Sequence, residues 1–307
     1  MARDPRKLAI SVSLMLAVLV LIGKWIAYLL TSSTAIFSDA AESVVHIAAT
    51  GIAAYSIWYA MRPADAEHLY GHGKFAYFSA GFEGALLLAV AASIFYAAIV
   101  SLIRGPVLHN LGVGIVITAS LGLVNLALGI YLIRVGRRES ALALVANGHH
   151  VLSDMWTSLG VVLGVVLVAW TGAVWLDPLV AVAVGVQISS TGFALVRKAY
   201  HGLMDRVEPE DSRIIQESLS SSVAEGLVSG FHQLRHRQVD DMLMVEMHLL
   251  LPGELSLAEA HERVSVVEEK LREELSNPRV LIYSHLEPSD HGAAHPEGHE
   301  LEDPLTE

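Results

Sequence analysis

The chain has 307 residues, of which 53% are hydrophobic and only 17% charged, a balance that excludes an ordinary soluble protein and favours a polytopic membrane protein with a soluble appendix. The formal net charge of −12 at pH 7 comes largely from the C-terminal third, which argues against a nucleic-acid partner. Because the sequence contains no cysteine, disulfides and thiolate metal sites are excluded, and any bound metal must be held by histidines and carboxylates.

Six apolar stretches are each long enough to cross a bilayer as a helix, which takes about 20 residues. They are approximately residues 8–30, 34–61, 77–103, 111–135, 141–171 and 174–200. The first is too long for a signal peptide and lacks a small-residue cleavage site, so we expect it to remain as a span. Lysines and arginines concentrate before the first span and after the second, fourth and sixth spans. Because cytoplasmic loops of membrane proteins carry an excess of these residues, both termini are predicted to be cytoplasmic.

The fifth stretch carries ionisable side chains in the middle of apolar sequence, namely His149, His150 and Asp154. Such groups are costly in hydrocarbon and usually mark a pathway or a site. His150 and Asp154 are four residues apart, so on a helix they share one face, where they would supply half of a tetrahedral metal shell. Glu42 and His46 repeat this spacing in the second stretch. The two helices together therefore predict a four-ligand metal site.

A lone histidine in an apolar helix is more often a packing residue than a ligand, and this is our interpretation of His149. The quartet differs because one cation satisfies all four ionisable groups at once. Two imidazoles and two carboxylates suit zinc, nickel, cobalt or ferrous iron better than manganese or magnesium, and zinc is the first choice. Asp39 lies on the same helical face as Glu42 and His46. It is a candidate for an extra ligand, a proton acceptor or a hydrogen-bond partner of an imidazole, the alternative being a water-facing residue near the helix start.

The composition becomes that of a soluble domain after about residue 205. Its periodicity predicts a helix at 212–223, strands at 231–239 and 242–250, a helix at 256–275 and a strand at 279–286. This αββαβ order predicts a small α+β domain with its helices on one face of the sheet. The polar and acidic end of the chain is typical of disorder. We therefore expect domains at 1–205 and 206–288, with a disordered tail at 289–307.

These features together resemble the cation diffusion facilitator family over nearly the whole chain. They are the six spans, the His150-x-x-x-Asp154 helix, the paired Glu42 and His46, the GHGK segment at 71–74 and the αββαβ tail. The pattern is similar to the bacterial zinc and iron exporters of that family. Because relatives commonly carry Asp-x-x-x-Asp or His-x-x-x-Asp on the earlier helix, the Glu42 and His46 pair leaves the identity of the metal open.

The resemblance implies a fold, an assembly and a location. The fold is an all-α bundle of six transmembrane helices, followed by a cytoplasmic α+β domain of ferredoxin-like, metallochaperone-like type that binds metal, regulates transport and dimerises. The assembly is a homodimer in the lipid bilayer, and the location is the bacterial inner membrane. The implied activity is transport, not enzymatic catalysis.

Further site residues follow from the resemblance. Asp65, His68 and His72 match the family's metal site in the cytoplasmic loop after the second span, the alternative being a loop rich in histidine by chance. Lys74 matches the family's basic residue that pairs with an acidic residue after the sixth span, here Asp205, and the pair would join the membrane and cytoplasmic halves. A final set matches the family's binuclear site in the C-terminal domain: His232, His248, His261, His285 and Glu287.

The remaining histidines have weaker interpretations. Solvent-facing histidines on strands are the alternative for the C-terminal set, and His236 has no counterpart in the family. Strand alternation places His285 and Glu287 on one face, as a shared site requires. The tail residues His291, His295 and His299 recur every four residues, and either scavenge metal weakly or belong to a plain linker or a purification addition.

The expected activity is proton-coupled antiport that exports Zn²⁺, or else Fe²⁺, Co²⁺, Ni²⁺, Cd²⁺ or Mn²⁺, from the cytoplasm by alternating access. An imidazole binds metal only when deprotonated, and its ordinary pKa of ~6.5 lets protons displace the cation near neutral pH. Two alternatives come from other classes: a non-transporting membrane metal sensor or scaffold, and an intramembrane metalloenzyme. The enzyme would need a motif such as HExxH, and HERVS at 261–265 fails at its last position and lies in the soluble domain.

Overall fold

Residues 5–138, 142–239, 242–277 and 279–290 are described by a computed structural model, and within them the chain forms eight α-helices and three β-strands. The N-terminal part comprises α1 (Pro5–Thr31), α2 (Thr34–Ala60), α3 (Phe75–Arg104), α4 (Leu111–Arg138), α5 (Leu142–Thr171) and α6 (Leu176–Leu203). The C-terminal part comprises α7 (Pro209–Ala224), β1 (Gly230–Val239), β2 (Met242–Leu251), α8 (Leu257–Glu274) and β3 (Arg279–Pro288). The tail histidines His291, His295 and His299 lie outside the described residues.

The six long helices correspond to the six predicted spans. Among the described residues, α1, α3, α4, α5 and α6 each contain a stretch long and apolar enough to cross a membrane. Helix α2 is as long as α1, at 27 residues, and carries Asp39, Glu42 and His46. The predicted architecture, six transmembrane helices followed by an αββαβ domain, is confirmed.

Helix ends differ from the predicted ends where polar residues continue or cap a helix. Helix α4 runs to Arg138, past the apolar stretch, and carries Arg137 and Arg138 in its last turn, where positive charge is favourable beside the helix C-terminus. Helix α8 begins with a capping box, in which Ser256 accepts from the Glu259 backbone N–H and the Glu259 side chain accepts from the Ser256 backbone N–H. The spacing of apolar residues predicts neither the charged last turn of α4 nor the capping box of α8.

The chain divides into two compact units, of which the first comprises Met1–Tyr55 and Ser79–Arg197. Its helices approach one another closely at glycines. A Cβ atom on Gly84 of α3 would lie 2.7 Å from the carbonyl oxygen of Gly192 in α6, and one on Gly148 of α5 would lie 2.9 Å from that of Gly129 in α4. Small residues permit such backbone approach between membrane helices. Helix α3 is thus packed on α6, and α4 on α5.

The second unit comprises Ser56–Phe78 and Lys198–Glu307, and its centre is a three-stranded sheet in the order β1-β2-β3. Strand β1 pairs with β2 in antiparallel fashion, and β2 with β3 in parallel fashion. Leu243 and Leu249 of β2 are buried with Leu219 of α7 and Val267 of α8. Because alternate residues of a strand face opposite sides, both helices cover one face of the sheet, which is the arrangement expected for this part of the chain.

The predicted domain boundary at residue 205 remains a prediction. The structure adds that Ser56–Phe78, which lies between α2 and α3 and includes their adjoining ends, groups with the C-terminal elements. A single boundary along the sequence cannot describe this division, because the chain enters the second unit at Ser56 and belongs to the first unit again from Ser79.

Candidate metal centres

The predicted intramembrane ligands of α2 and α5 lie together. His46 Nε2 is 3.6 Å from Asp154 Oδ1 and 3.5 Å from Glu42 Oε1, and His150 Nε2 is 4.0 Å from Asp154 Oδ2. One donor atom each from His46, His150 and Asp154 lies within 4.8 Å of the others. Glu42 joins this trio through its contact with His46. The four residues form one cluster, called the intramembrane cluster below.

Access to this cluster is uneven. The side chains of Glu42, His46 and Asp154 are 13%, 19% and 22% exposed, whereas that of His150 is 45% exposed. The rings of His46 and His150 meet edge to face with centroids 4.6 Å apart. His150 is therefore the most exposed member of the cluster.

Asp39 has a different partner from the one expected. Its carboxylate is 1% exposed, lies 2.8 Å from Lys24 Nζ, and accepts hydrogen bonds from Ser158 Oγ at 2.9 and 3.1 Å. The water-facing alternative for Asp39 is therefore wrong, and a role as an extra ligand has no support from this placement. Lys24 was not predicted as a site residue, although a lysine inside an apolar span needs a counter-ion.

His149 is exposed on α5, so the structure does not show the packing role expected for it. The i,i+4 spacing turns His150 toward Asp154, and a residue one position earlier on a helix points about 100° away. His149 therefore cannot share the face that the two ligands occupy.

Asp177 was also missed, and it fixes the start of α2. This carboxylate of the first turn of α6 is fully buried. Its Oδ2 accepts a hydrogen bond from the Thr34 backbone N–H at 2.7 Å, and Ser33 Oγ donates to its Oδ1. Free backbone N–H groups at a helix start favour a carboxylate. Asp177 thus caps α2, the helix that carries Glu42 and His46, from a different helix.

The loop residues Asp65, His68 and His72 also offer donor atoms within 4.8 Å of one another. Asp65 lies 3.2 Å from His68 Nδ1 and 3.4 Å from His72 Nε2. The backbone hydrogen bond from His68 is the main cause that lowers the pKa of Asp65, so this carboxylate is charged at neutral pH. His72 is buried, and its Nδ1 makes no hydrogen bond within the described structure. The nitrogens that lie beside the Asp65 carboxylate are His68 Nδ1 and His72 Nε2, so these two are the imidazole donors that the trio could offer to a cation.

Lys74 Nζ lies 2.9 Å from Asp205 Oδ1, and both residues belong to the second unit. A third member, which was not predicted, is Arg237 of β1, whose guanidinium is 3.5 Å from Asp205 Oδ2. The same guanidinium lies 5.5 Å from the centre of the Tyr70 ring. Asp205 thus joins the segment before α3 to β1 through two basic side chains.

The strand register builds the C-terminal cluster. His232, His248 and His285 are paired in one row across β1, β2 and β3. Glu287, whose side chain is 2% exposed, lies 2.9 Å from His232 Nε2 and 2.7 Å from His248 Nδ1. Donor atoms of His232, His248 and Glu287 fall within 4.8 Å of one another.

Protonation in this cluster suits metal binding. Burial acts to raise the pKa of Glu287, but the hydrogen bonds and charges of His232 and His248 outweigh it and lower that pKa to about 2. Burial lowers the pKa of His248. At neutral pH the cluster therefore offers an ionised carboxylate and a neutral imidazole, the states that bind metal.

Two predicted members of the C-terminal set are peripheral. His285 Nε2 is 3.6 Å from Glu287 Oε1, but its side chain is 62% exposed. His261 is exposed on α8 and is not among the residues that the structure brings together, because α8 covers the face of the sheet opposite to His248. His236 is buried and hydrogen bonded to Ser212 Oγ at 2.7 Å, which is a packing role.

Comparison with known proteins covers both parts of the chain. Residues 10–204 match the family model described as the cation efflux transmembrane domain, and residues 207–289 match the cation efflux protein, cytoplasmic domain. An uncharacterized transporter of Synechocystis sp. is 35% identical over 263 residues, 85% of this chain and 84% of that protein. The cation-efflux pump FieF of Klebsiella pneumoniae is 30% identical over 281 residues, 92% of each chain. FieF of Shewanella oneidensis is 28% identical over 277 residues, 90% of this chain and 93% of that one.

Proposed function

The chain belongs to the cation diffusion facilitator family, and from this premise we propose that it exports Zn²⁺ from the cytoplasm in exchange for protons. Membership makes it an integral membrane transporter of metal cations and not a classical enzyme. The identity of the metal, the proton coupling and the route of the ion are the parts that we add from the residues.

The observation that supports zinc is the donor set of the intramembrane cluster. Glu42 and Asp154 supply two carboxylates, whose charges would balance one divalent cation, and His46 and His150 supply two imidazole nitrogens. Tetrahedral sites of imidazole and carboxylate suit Zn²⁺. Nitrogen ligands disfavour Mg²⁺ and Mn²⁺ relative to zinc and its neighbours. Fe²⁺, Co²⁺, Ni²⁺ and Cd²⁺ are the alternatives within the same activity.

Proton coupling follows from the same imidazoles. A proton and a metal ion compete for one nitrogen of His46 or His150, so protons that arrive from the outer side expel the cation. Alternating access would expose the cluster first to the cytoplasm and then to the opposite side. The basic residues between the spans support an orientation with both termini in the cytoplasm, in the inner membrane of a bacterium.

The C-terminal domain would serve assembly and regulation. We propose that the chain is a homodimer, which its match to the family's cytoplasmic domain supports. Metal held by His232, His248 and Glu287 would stabilise the association of two such domains and favour the transporting conformation. The loop trio Asp65, His68 and His72 would be a further cation site, because its donor atoms are equally close.

The proposal is tested with the purified full-length protein in sealed vesicles that contain a pH-sensitive dye. Addition of Zn²⁺ outside should give zinc uptake together with proton release from the lumen, and a panel of Fe²⁺, Co²⁺, Ni²⁺, Cd²⁺ and Mn²⁺ should give smaller rates. Zinc uptake without proton movement would refute antiport. Absence of flux for every cation in the panel would refute transport and favour the metal sensor.

A further inference from the structure

A lysine is buried in the middle of the membrane helices. Lys24 of α1 is 2% exposed, and its ammonium group donates hydrogen bonds to Asp39 Oδ1 at 2.8 Å and to Ser43 Oγ at 2.9 Å, both on α2. Ser158 of α5 donates to the same Asp39 carboxylate. Three helices therefore meet at one ion pair. An ionised side chain in hydrocarbon requires a functional reason as well as a partner.

The ion pair lies next to the intramembrane cluster on both helices that form it. Asp39 precedes Glu42 by three residues and His46 by seven, so it shares their face of α2. Ser158 follows Asp154 by four residues on α5. One helical turn, about 5 Å along the axis, thus separates the pair from the ligands.

We propose that Lys24 is a specificity-determining residue of the intramembrane cluster, because it holds Asp39 in an internal ion pair and withholds this carboxylate from the transported metal. The inference rests on the proposed transport site. With Lys24 present, the ion meets two carboxylates and two imidazoles. Without Lys24, Asp39 would add a third carboxylate on the same face of α2, and the site would become more negative and richer in oxygen. Oxygen donors favour Mn²⁺.

The test measures the half-saturating zinc concentration for uptake by the full-length protein in vesicles, together with the ratio of manganese to zinc flux. Lys24→Met leaves one extra negative charge, so the half-saturating concentration should fall roughly tenfold or more, as expected for a unit charge one to two turns from a divalent ion. Asp39→Asn leaves one extra positive charge, and the same concentration should rise by a similar factor. The manganese to zinc ratio should rise in Lys24→Met alone.

Two further variants separate charge from packing. The double variant Lys24→Met with Asp39→Asn removes both charges together, and its half-saturating concentration should return to within about threefold of the wild-type value, since opposite electrostatic effects cancel. Ser158→Ala removes one hydrogen bond from Asp39 but no charge. It should also stay within about threefold, because a single hydrogen bond contributes little compared with a buried charge.

The outcomes distinguish this inference from the proposed function. Wild-type protein that moves no divalent cation overturns the proposed function. If the wild-type protein transports zinc but both single variants raise the half-saturating concentration, the pair is only a structural contact. That result overturns this inference alone. The same conclusion holds if neither single variant can be recovered as folded protein. Shifts of opposite sign support the inference.

Discussion

Neutralising Asp154 is the most direct test of the intramembrane cluster. In Asp154→Asn the side chain keeps its size but loses the carboxylate that lies 3.6 Å from His46 and 4.0 Å from His150. Glu42 alone then opposes a divalent cation, and one positive charge is left without compensation. An uncompensated charge at the centre of a membrane helix costs about 3 kcal/mol, which corresponds to roughly a hundredfold loss of metal affinity.

The assay is zinc uptake into vesicles over a wide range of zinc concentrations, with size-exclusion chromatography to show that the variant remains folded. Glu83→Gln is the matched control, because it neutralises a carboxylate of α3 that belongs to none of the clusters among the described residues. The control should transport zinc like the wild-type protein. Unchanged uptake by Asp154→Asn, or an equal loss in Glu83→Gln, would refute the assignment of Asp154 as a ligand.

Two further predictions concern residues that support the clusters. Asp177→Ala removes the cap of α2 and should lower the stability of the protein in detergent by about 1–2 kcal/mol, seen as a lower melting temperature, whereas an unchanged melting temperature would show that the contact with Thr34 is not stabilising. The folded-state pKa of Glu287 is depressed to about 2 from its ordinary 4.5, so its carboxylate stabilises the folded C-terminal domain above pH 4.5 and this contribution, at most about 3 kcal/mol, is lost as the pH falls toward 2. The measurement is hydrogen–deuterium exchange of β3 in the wild type and in Glu287→Gln, compared at equal pH in the presence of a chelator. At pH 6, β3 should be more protected in the wild type than in the variant, and this difference should vanish near pH 2. A difference that persists at pH 2 would contradict the assignment.

The spans and the ligand spacing could be predicted from the sequence because both are local properties. A run of about 20 apolar residues is sufficient for a membrane helix, and the four-residue spacing places His150 above Asp154 on any helix. The spacing does not show that Glu42 and His46 of α2 lie beside His150 and Asp154 of α5. That proximity could be expected only because each buried ionisable group needs a partner. The structure supplies the distances.

Contacts across helices could not be predicted from spacing. Lys24 and Asp39 lie 15 residues apart on different helices, and Ser33 and Asp177 lie 144 residues apart. Their pairing depends on which helix faces pack together. Because apolar residues lie on every side of these helices, the sequence does not show which face packs against a neighbour. A lysine in one apolar span and an aspartate outside the predicted ligand quartet in the next were nevertheless two signals that could have been combined.

The C-terminal set illustrates a different limit. Alternation along β3 is sufficient to place His285 and Glu287 on one face, but the row of His232, His248 and His285 depends on the pairing register of three strands and on the irregularity of β1 after His232. The expectation for His261 relied on resemblance alone. A helix residue has no register with a strand, and its distance from the cluster is decided by how α8 packs.

The contacts of α2 argue that it does not move alone during transport. Asp177 of α6 caps its start, and farther along the helix Lys24 of α1 and Ser158 of α5 hold Asp39. Breaking the buried ion pair in each cycle would cost several kcal/mol, so we expect α1 and α2 to move together. Because the chain has no cysteine, spin labels can be placed at the exposed Leu29 and Val44 without other changes. Their distance distribution should be the same with and without Zn²⁺, and a second distance that appears with zinc would show that the two helices separate.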